Sequence, residues 1–339
     1  MKNKNHPAFS ILALLFLLAC QISNPMVAMK SEPTTESTTT VVTSQPPSET
    51  AQPTATVTAT STPERAIRRV IILSMDGLRP DAIELTPMPN LLELMKTSAY
   101  SLTAQTIRPS ATLPAHSSML SGLCPSKHGV DWNDYIPENG IAQGTDLFDL
   151  THTMGLQNLM YVGKEKLQQV TDASNIDRFV YINDRDKVIM QNLLADFSQD
   201  FGVLFIHFAT TDAMGHVHGW LSPEQFSVIF RADEAIGELL TTLETRGLRD
   251  ETLLIVTADH GGHGKTHGSS MPEDMTIPWI ASGPGIQAGK LTTPIHTTDT
   301  AATAAYALGI PIPAEWDGVP VWEAFGLPKG NRAPTICPR

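Results

Sequence analysis

The chain has 339 residues, 41% hydrophobic and 17% charged, with a formal charge of -12. That is ample apolar material for one large domain with a buried core. The acidic balance excludes a general nucleic-acid-binding surface, but it says little about a cation-binding pocket, where bound ions cancel local acidity.

In chain order, the first 20 residues read as a targeting segment. MKNKN supplies positive charge, and PAFSILALLFLLAC is an apolar run ending at Cys20, too short to span a bilayer comfortably. Leu17-Leu18-Ala19-Cys20 resembles the bacterial lipoprotein box. This implies lipid on Cys20 and a mature chain anchored to a membrane outside the cytoplasm; an ordinary cleaved signal peptide is the alternative. Residues 21–65 form a tether, with Ser, Thr and Pro dominating 31–63. Such a composition cannot bury enough apolar surface to offset ordering entropy, and a random coil of that length reaches about 30 Å.

From 66 to 325 strand and helix patterns alternate, ahead of a C-terminal tail at 326–339. VIILSM (70–75), VLFIHFA (203–209) and TLLIVTA (252–258) are short β-branched and apolar runs of the kind buried on both faces of a sheet. MPNLLELMKTS (88–98) carries helical spacing. Residues 222–247 read as a long amphipathic helix, with Ser222 as N-cap, Gln225 three residues on and Gly247 as C-cap. IPWIASG (277–283) is a further strand, followed by a helix near 299–308. The alternation predicts a three-layer α/β fold, a largely parallel central sheet with helices on both faces. Two cysteines remain after Cys20. Cys124 and Cys337 could pair in an oxidising compartment or stay as thiols.

Seven metal-type ligands fall in four short segments: Asp76, Thr112, Asp212, His216, Asp259, His260 and His267. Asp76, Asp212 and Asp259 each follow a predicted strand, where open α/β sheets build their sites. Three such coincidences, each with a His or Thr nearby, exceed what turn and cap preferences supply. Seven groups, one a hydroxyl, fit two divalent ions with open positions and a nucleophile at one of them. Thr112 lies in PSATLPAHSSMLSG, where a helix can begin near Pro114. It is either a simple N-cap or a hydroxyl activated by metal and helix dipole. His263 competes with His267 for the last position, which Gly268 after His267 favours. His116, His128, His207, His218 and His296 read as packing, hydrogen-bonding or solvated groups.

The domain resembles the alkaline phosphatase superfamily, and more closely the type I phosphodiesterase/nucleotide pyrophosphatase family. The motifs that carry the resemblance are MDGLRPD (Asp76), PSATLPAHSSMLSG (Thr112), KHGVDWND (Asn133), TDAMGHVHG (Asp212, His216) and ADHGGHGKTHG (Asp259, His260, His267). The resemblance implies two zinc ions, though other divalent cations are possible. Asp76, Thr112, Asp259 and His260 would hold one ion, and Asp212, His216 and His267 the other. It implies a phospho-threonine intermediate on Thr112, with the Asn133 amide binding a phosphoryl oxygen.

Substrate choice rests on MYVGKEKL (160–167). Lys164 and Lys166, two residues apart, point to one side if the segment stays extended, in a spacing similar to the K-x-K of phosphonoacetate hydrolases. If they reach the site, phosphate monoesters or phosphonates gain over diesters and nucleotide pyrophosphates; otherwise the segment is an exposed charged loop. Trp132 and Tyr135 line a base pocket or simply pack. Cys124-Pro125-Ser126-Lys127 does not supply a sulfatase segment, and a phosphoglycerate mutase of this fold would carry a serine nucleophile. A catalytically dead surface lipoprotein is the alternative from a different class.

Overall fold

β-Branched residues without interruption make the first strand. β1 (Arg69–Met75) has Val70 to Leu73 entirely buried, as expected of a strand covered on both faces. β5 (Val203–Phe208) and β6 (Thr252–Thr257) are buried throughout and flank β1 in parallel, Ile71 lying opposite Leu204 and Leu254. The other strands are β2 (Ala99–Gln105), β3 (Asn158–Val162), β4 (Arg178–Tyr181), β7 (Thr276–Ser282) and β8 (Gly289–Lys290). The computed structural model describes residues 67–328 and Cys337; the Cys20 box and the tether lie outside these.

The eight strands form one sheet in the order β4-β3-β5-β1-β6-β7-β2-β8. Only β7 runs against the rest, pairing antiparallel with both β6 and β2. The sheet is thus largely parallel, and IPWIASG, expected simply as a strand, is its one reversed member.

Among the described residues ten α-helices accompany it: α1 (Pro80–Leu85), α2 (Pro89–Met95), α3 (Thr112–Ser121), α4 (Pro125–His128), α5 (Leu147–Thr153), α6 (Asp186–Ala195), α7 (Thr210–His218), α8 (Pro223–Thr245), α9 (Pro272–Met275) and α10 (Asp299–Leu308). α8 packs with α2, α6 and α7, while α3 packs with α4, α5 and α10. These two groups cover the two faces. The cap expected at Ser222 is present, its Oγ accepting from the Gln225 N–H at 3.2 Å. α3 is buried along its whole length and stops at Gly122, whose φ of +67° suits a residue without Cβ. Cys124 and Cys337 are joined by a disulfide, with Cα atoms 5.3 Å apart. Among the described residues no helix is long and apolar enough to cross a membrane.

Candidate active site

Four neighbouring parallel strands, β3, β5, β1 and β6, end on the same side of the sheet. Each delivers a polar group there. Asp76 follows β1 directly, Asp212 lies in the first turn of α7 after β5, Asp259 and His260 follow β6, and Lys164 lies two residues past β3. Thr112 arrives separately as the first residue of α3. The N-cap there is Ala111, so Thr112 sits inside the first turn, fully buried.

The three carboxylates share one pattern. Asp76 Oδ2 accepts from His207 Nε2 (2.9 Å) and pairs with Lys164 Nζ (2.7 Å). Asp212 Oδ2 accepts from Lys164 Nζ at 2.6 Å, and Asp259 Oδ1 accepts the N–H groups of Gly77 and His260. The second oxygen of each, Asp76 Oδ1, Asp212 Oδ1 and Asp259 Oδ2, is buried without a hydrogen-bond partner. Each of these oxygens faces imidazole nitrogen. His260 Nε2 lies 3.4 Å from Asp76 Oδ1 and 3.3 Å from Asp259 Oδ2. His216 Nε2 and His267 Nε2 lie 3.3 and 3.6 Å from Asp212 Oδ1.

The histidines are oriented to match. His216 Nδ1 meets the Lys265 carbonyl, His260 Nδ1 the Gly261 carbonyl and His267 Nδ1 the Ser110 carbonyl, at 2.7 to 3.0 Å. A carbonyl can only accept, so each Nδ1 donates, and a ring that is neutral in this orientation presents its Nε2 lone pair to the carboxylates, as metal-ligating histidines do. Lone pairs facing unpartnered carboxylate oxygens form a donor set that fits cations. Two groups lie close enough to hold an ion, Asp76 with Asp259 and His260, and Asp212 with His260 and His267. His216 stands beside the second group through Asp212. Thr112 Oγ1 lies 3.5 Å from Asp76 Oδ2 and 3.1 Å from Lys164 Nζ.

The electrostatics follow from burial and this crowding. Burial alone would raise the Asp76 carboxyl, but Lys164 and the His207 hydrogen bond hold it well below the usual range. Burial and Asp76 push Asp212 up, yet His216 and Lys164 bring it down to about 2. Asp259 is raised by burial and by Asp76. Burial depresses Lys164, but Asp76 and Asp212 outweigh it and the ammonium is held well above its ordinary value. Burial and His260 push His267 down to about 4, keeping it neutral.

Asn133 Oδ1 accepts the Leu113 N–H at 2.9 Å, one of the unpaired donors of the first turn of α3. Of the paired lysines, Lys164 enters the ligand cluster while Lys166 Nζ donates to the Asn133 carbonyl at 2.6 Å. His263 is drawn away to Asp274 (2.7 Å), which leaves His267 at the cluster. His207 shows the opposite tautomer from the three cluster histidines, its Nδ1 accepting the Gly163 N–H. His116 bridges the Thr112 carbonyl and Ser74 Oγ. Tyr135 is exposed, and Trp132 Nε1 lies 3.5 Å from Gln169 Oε1.

Trp220 is absent from the motif reading, yet it joins three ligand segments. Its Nε1 donates to the Gly77 carbonyl at 2.8 Å. A Cβ on Gly77, Gly215 or Gly262 would come within 3.2, 2.8 or 2.1 Å of the indole. Gly77 also has φ +73°. Each of these glycines lies within three residues of a candidate ligand, a spacing that marks close approach by something bulky but does not say which residue supplies the bulk.

Residues 70–146 and 161–267 match the family described as Type I phosphodiesterase / nucleotide pyrophosphatase. Among curated relatives, the human GPI ethanolamine phosphate transferase 2 catalytic subunit is 24% identical over 282 residues, covering 75% of this chain and 27% of that protein. The bis(5'-adenosyl)-triphosphatase enpp4 of Xenopus laevis is 25% identical over 217 residues, covering 57% of this chain and 47% of that one. The chain thus spans about a quarter to a half of the length of such relatives. Among solved structures, an inactive variant of murine ectonucleotide pyrophosphatase/phosphodiesterase 5 in complex with AMP superposes with a TM-score of 0.65 at 16% identity, over 77% of this chain and 99% of that one. The phosphonate monoester hydrolase SpPMH from Silicibacter pomeroyi gives 0.61 at 14% identity, over 78% of each. These likenesses are of fold. With more than half of its residues matched in the order of its ligand segments, the chain belongs to the type I phosphodiesterase/nucleotide pyrophosphatase family.

Proposed function

We propose that this protein is a hydrolase of phosphoric esters, of the phosphodiester and nucleotide pyrophosphate type, that uses two zinc ions and Thr112 as nucleophile. One observation carries the reading: three carboxylates each turn a buried, unpartnered oxygen toward imidazole Nε2 atoms whose Nδ1 atoms are fixed on backbone carbonyls. Asp76, Thr112, Asp259 and His260 would hold one ion, and Asp212, His216 and His267 the other. Bound there, the ions would neutralise phosphoryl charge and lower the pKa of coordinated oxygen. Thr112 Oγ1, at the positive end of α3, would give its proton to solvent and form the P–O bond of a phospho-threonine as the ester P–O bond breaks, and water would then cleave that phospho-threonine. Asn133 spends its Oδ1 on Leu113, so its Nδ2 hydrogens are left to donate to a phosphoryl oxygen.

Thr112→Ala is expected to lower turnover of bis-p-nitrophenyl phosphate by about a thousandfold or more with the fold retained by circular dichroism. A variant keeping a tenth of wild-type activity would remove the nucleophile role. Metal analysis of purified wild type should find two ions per chain. Fewer than one, together with no turnover, favours the inert lipoprotein instead.

A second reading has its own observation. Lys164 Nζ reaches Thr112 Oγ1 and two ligand carboxylates, which favours a substrate with an extra negative charge, a phosphate monoester or phosphonate. The lipid anchor on Cys20, holding the enzyme at a membrane outside the cytoplasm, belongs to the same proposal and rests on the sequence box alone.

A further inference from the structure

We propose that Gln169 is a positioning residue that, with Lys166, holds the 132–142 loop so that Asn133 stays at the first turn of α3. The inference rests on the reading of Asn133 as a donor to the phosphoryl group.

That loop has only one short 3₁₀ turn (Pro137–Asn139), and Asp134, Tyr135 and Pro137 to Gly140 are exposed. Little in its own structure fixes the position of Asn133. Beyond the bond of its own Oδ1 to the Leu113 N–H, what fixes it comes from the turn Glu165–Val170 that follows β3. Gln169 is only 3% exposed, so its amide has no access to water as an alternative partner. Its Oε1 accepts the Ile136 N–H at 3.0 Å and lies 3.5 Å from Trp132 Nε1. Its Nε2 donates to the Ile136 carbonyl at 2.7 Å and to the Gly140 carbonyl at 2.6 Å. Its own carbonyl accepts the Ala142 N–H at 2.8 Å. One carboxamide therefore grips both backbone groups of Ile136, three residues beyond Asn133. Lys166 Nζ grips the Asn133 carbonyl itself.

The geometry also says which side chains can do this. Glutamate would keep the acceptor but would turn a second oxygen toward two carbonyls. Methionine would fill similar volume and bond to none of the four groups. Lys164 caps the same turn, so one short segment both delivers an ammonium to Thr112 and holds Asn133 beside it.

The test is a double-mutant cycle on bis-p-nitrophenyl phosphate with Gln169→Met, Asn133→Ala and the pair, in the metal-loaded enzyme. Asn133→Ala and Gln169→Met are each expected to lower kcat by about tenfold or more, and the pair to fall within about threefold of Asn133→Ala alone. Losses that multiply, or a Gln169→Met enzyme within twofold of wild type, overturn the proposal. Should Gln169→Met not fold, Lys166→Met carries the same cycle on a half-buried residue, with the same non-additivity expected and multiplying losses overturning the proposal. If Asn133→Ala is itself within twofold of wild type while Thr112→Ala is inactive, this inference falls and the nucleophile reading stands. If Thr112→Ala is active, that reading falls by its own test.

Discussion

Lys164 is the residue whose position decides most about chemistry. Its Nζ lies 2.6 to 3.1 Å from Asp212, Asp76 and Thr112, and so bridges the two ligand groups. A monoester dianion carries one more negative charge than a diester, and an ammonium beside the candidate nucleophile would stabilise it preferentially. Lys164→Ala is therefore expected to lower kcat/KM on p-nitrophenyl phosphate by about tenfold more than on bis-p-nitrophenyl phosphate, roughly 1.4 kcal/mol of discrimination. Equal effects on the two substrates rule out the monoester reading. That Asp76, Asp212 and Asp259 gather at one end of the sheet was legible in the sequence because each sits within four residues of a strand end, beside glycines and histidines. Trp220, Gln169 and the His207 bond to Asp76 were not. Their partners lie 143, 33 and 131 residues away, and no local spacing encodes such pairings. Whether Lys164 or Lys166 reached the site was open for the same reason.

At the scale of elements, the runs buried on both faces were legible because unbroken β-branched stretches leave few alternatives. β1, β5 and β6 fall within one residue of the expected bounds, and α10 spans the expected 299–308. β2 is not legible in the sequence, because AYSLTAQ mixes small and polar residues, with Thr103 exposed. The reversal of β7 was invisible because direction belongs to pairing and not to composition. The Ser222 cap was read correctly from a side chain that needs only its own neighbours. Ser222→Ala should lower stability by about 1 kcal/mol, read as a shift in urea midpoint at unchanged slope. An unchanged midpoint would deny the cap any energetic role.

For the molecule as a whole, buried acids set a pH dependence. Burial raises Asp299 to about 7, against the opposing N–H bonds of His296 and Val319. Burial and Asp149 raise Asp146 to about 7. In the unfolded chain both lose their protons near 4. Between about 4 and 7 the folded state therefore binds more protons, and these two groups make stability fall as pH rises. Buried His116 and His128, lowered to about 4, act in the opposite direction below 6.5. Comparing variants isolates the acids: Asp299→Asn should gain stability relative to wild type on going from pH 4 to 7, by up to about 1.4 kcal/mol per pH unit. Parallel urea-stability curves for the two proteins would exclude the effect.

The Cys124–Cys337 bond spans 213 residues of sequence, and every candidate ligand after Thr112 lies between its ends. During synthesis Cys124 cannot form this bond until Cys337 has been added. The other cysteine present during this wait is Cys20, so premature capture has one available partner. An acyl-modified Cys20 would close that route and leave a single pairing, so that N-terminal processing and oxidative maturation would act in sequence on one nascent polypeptide.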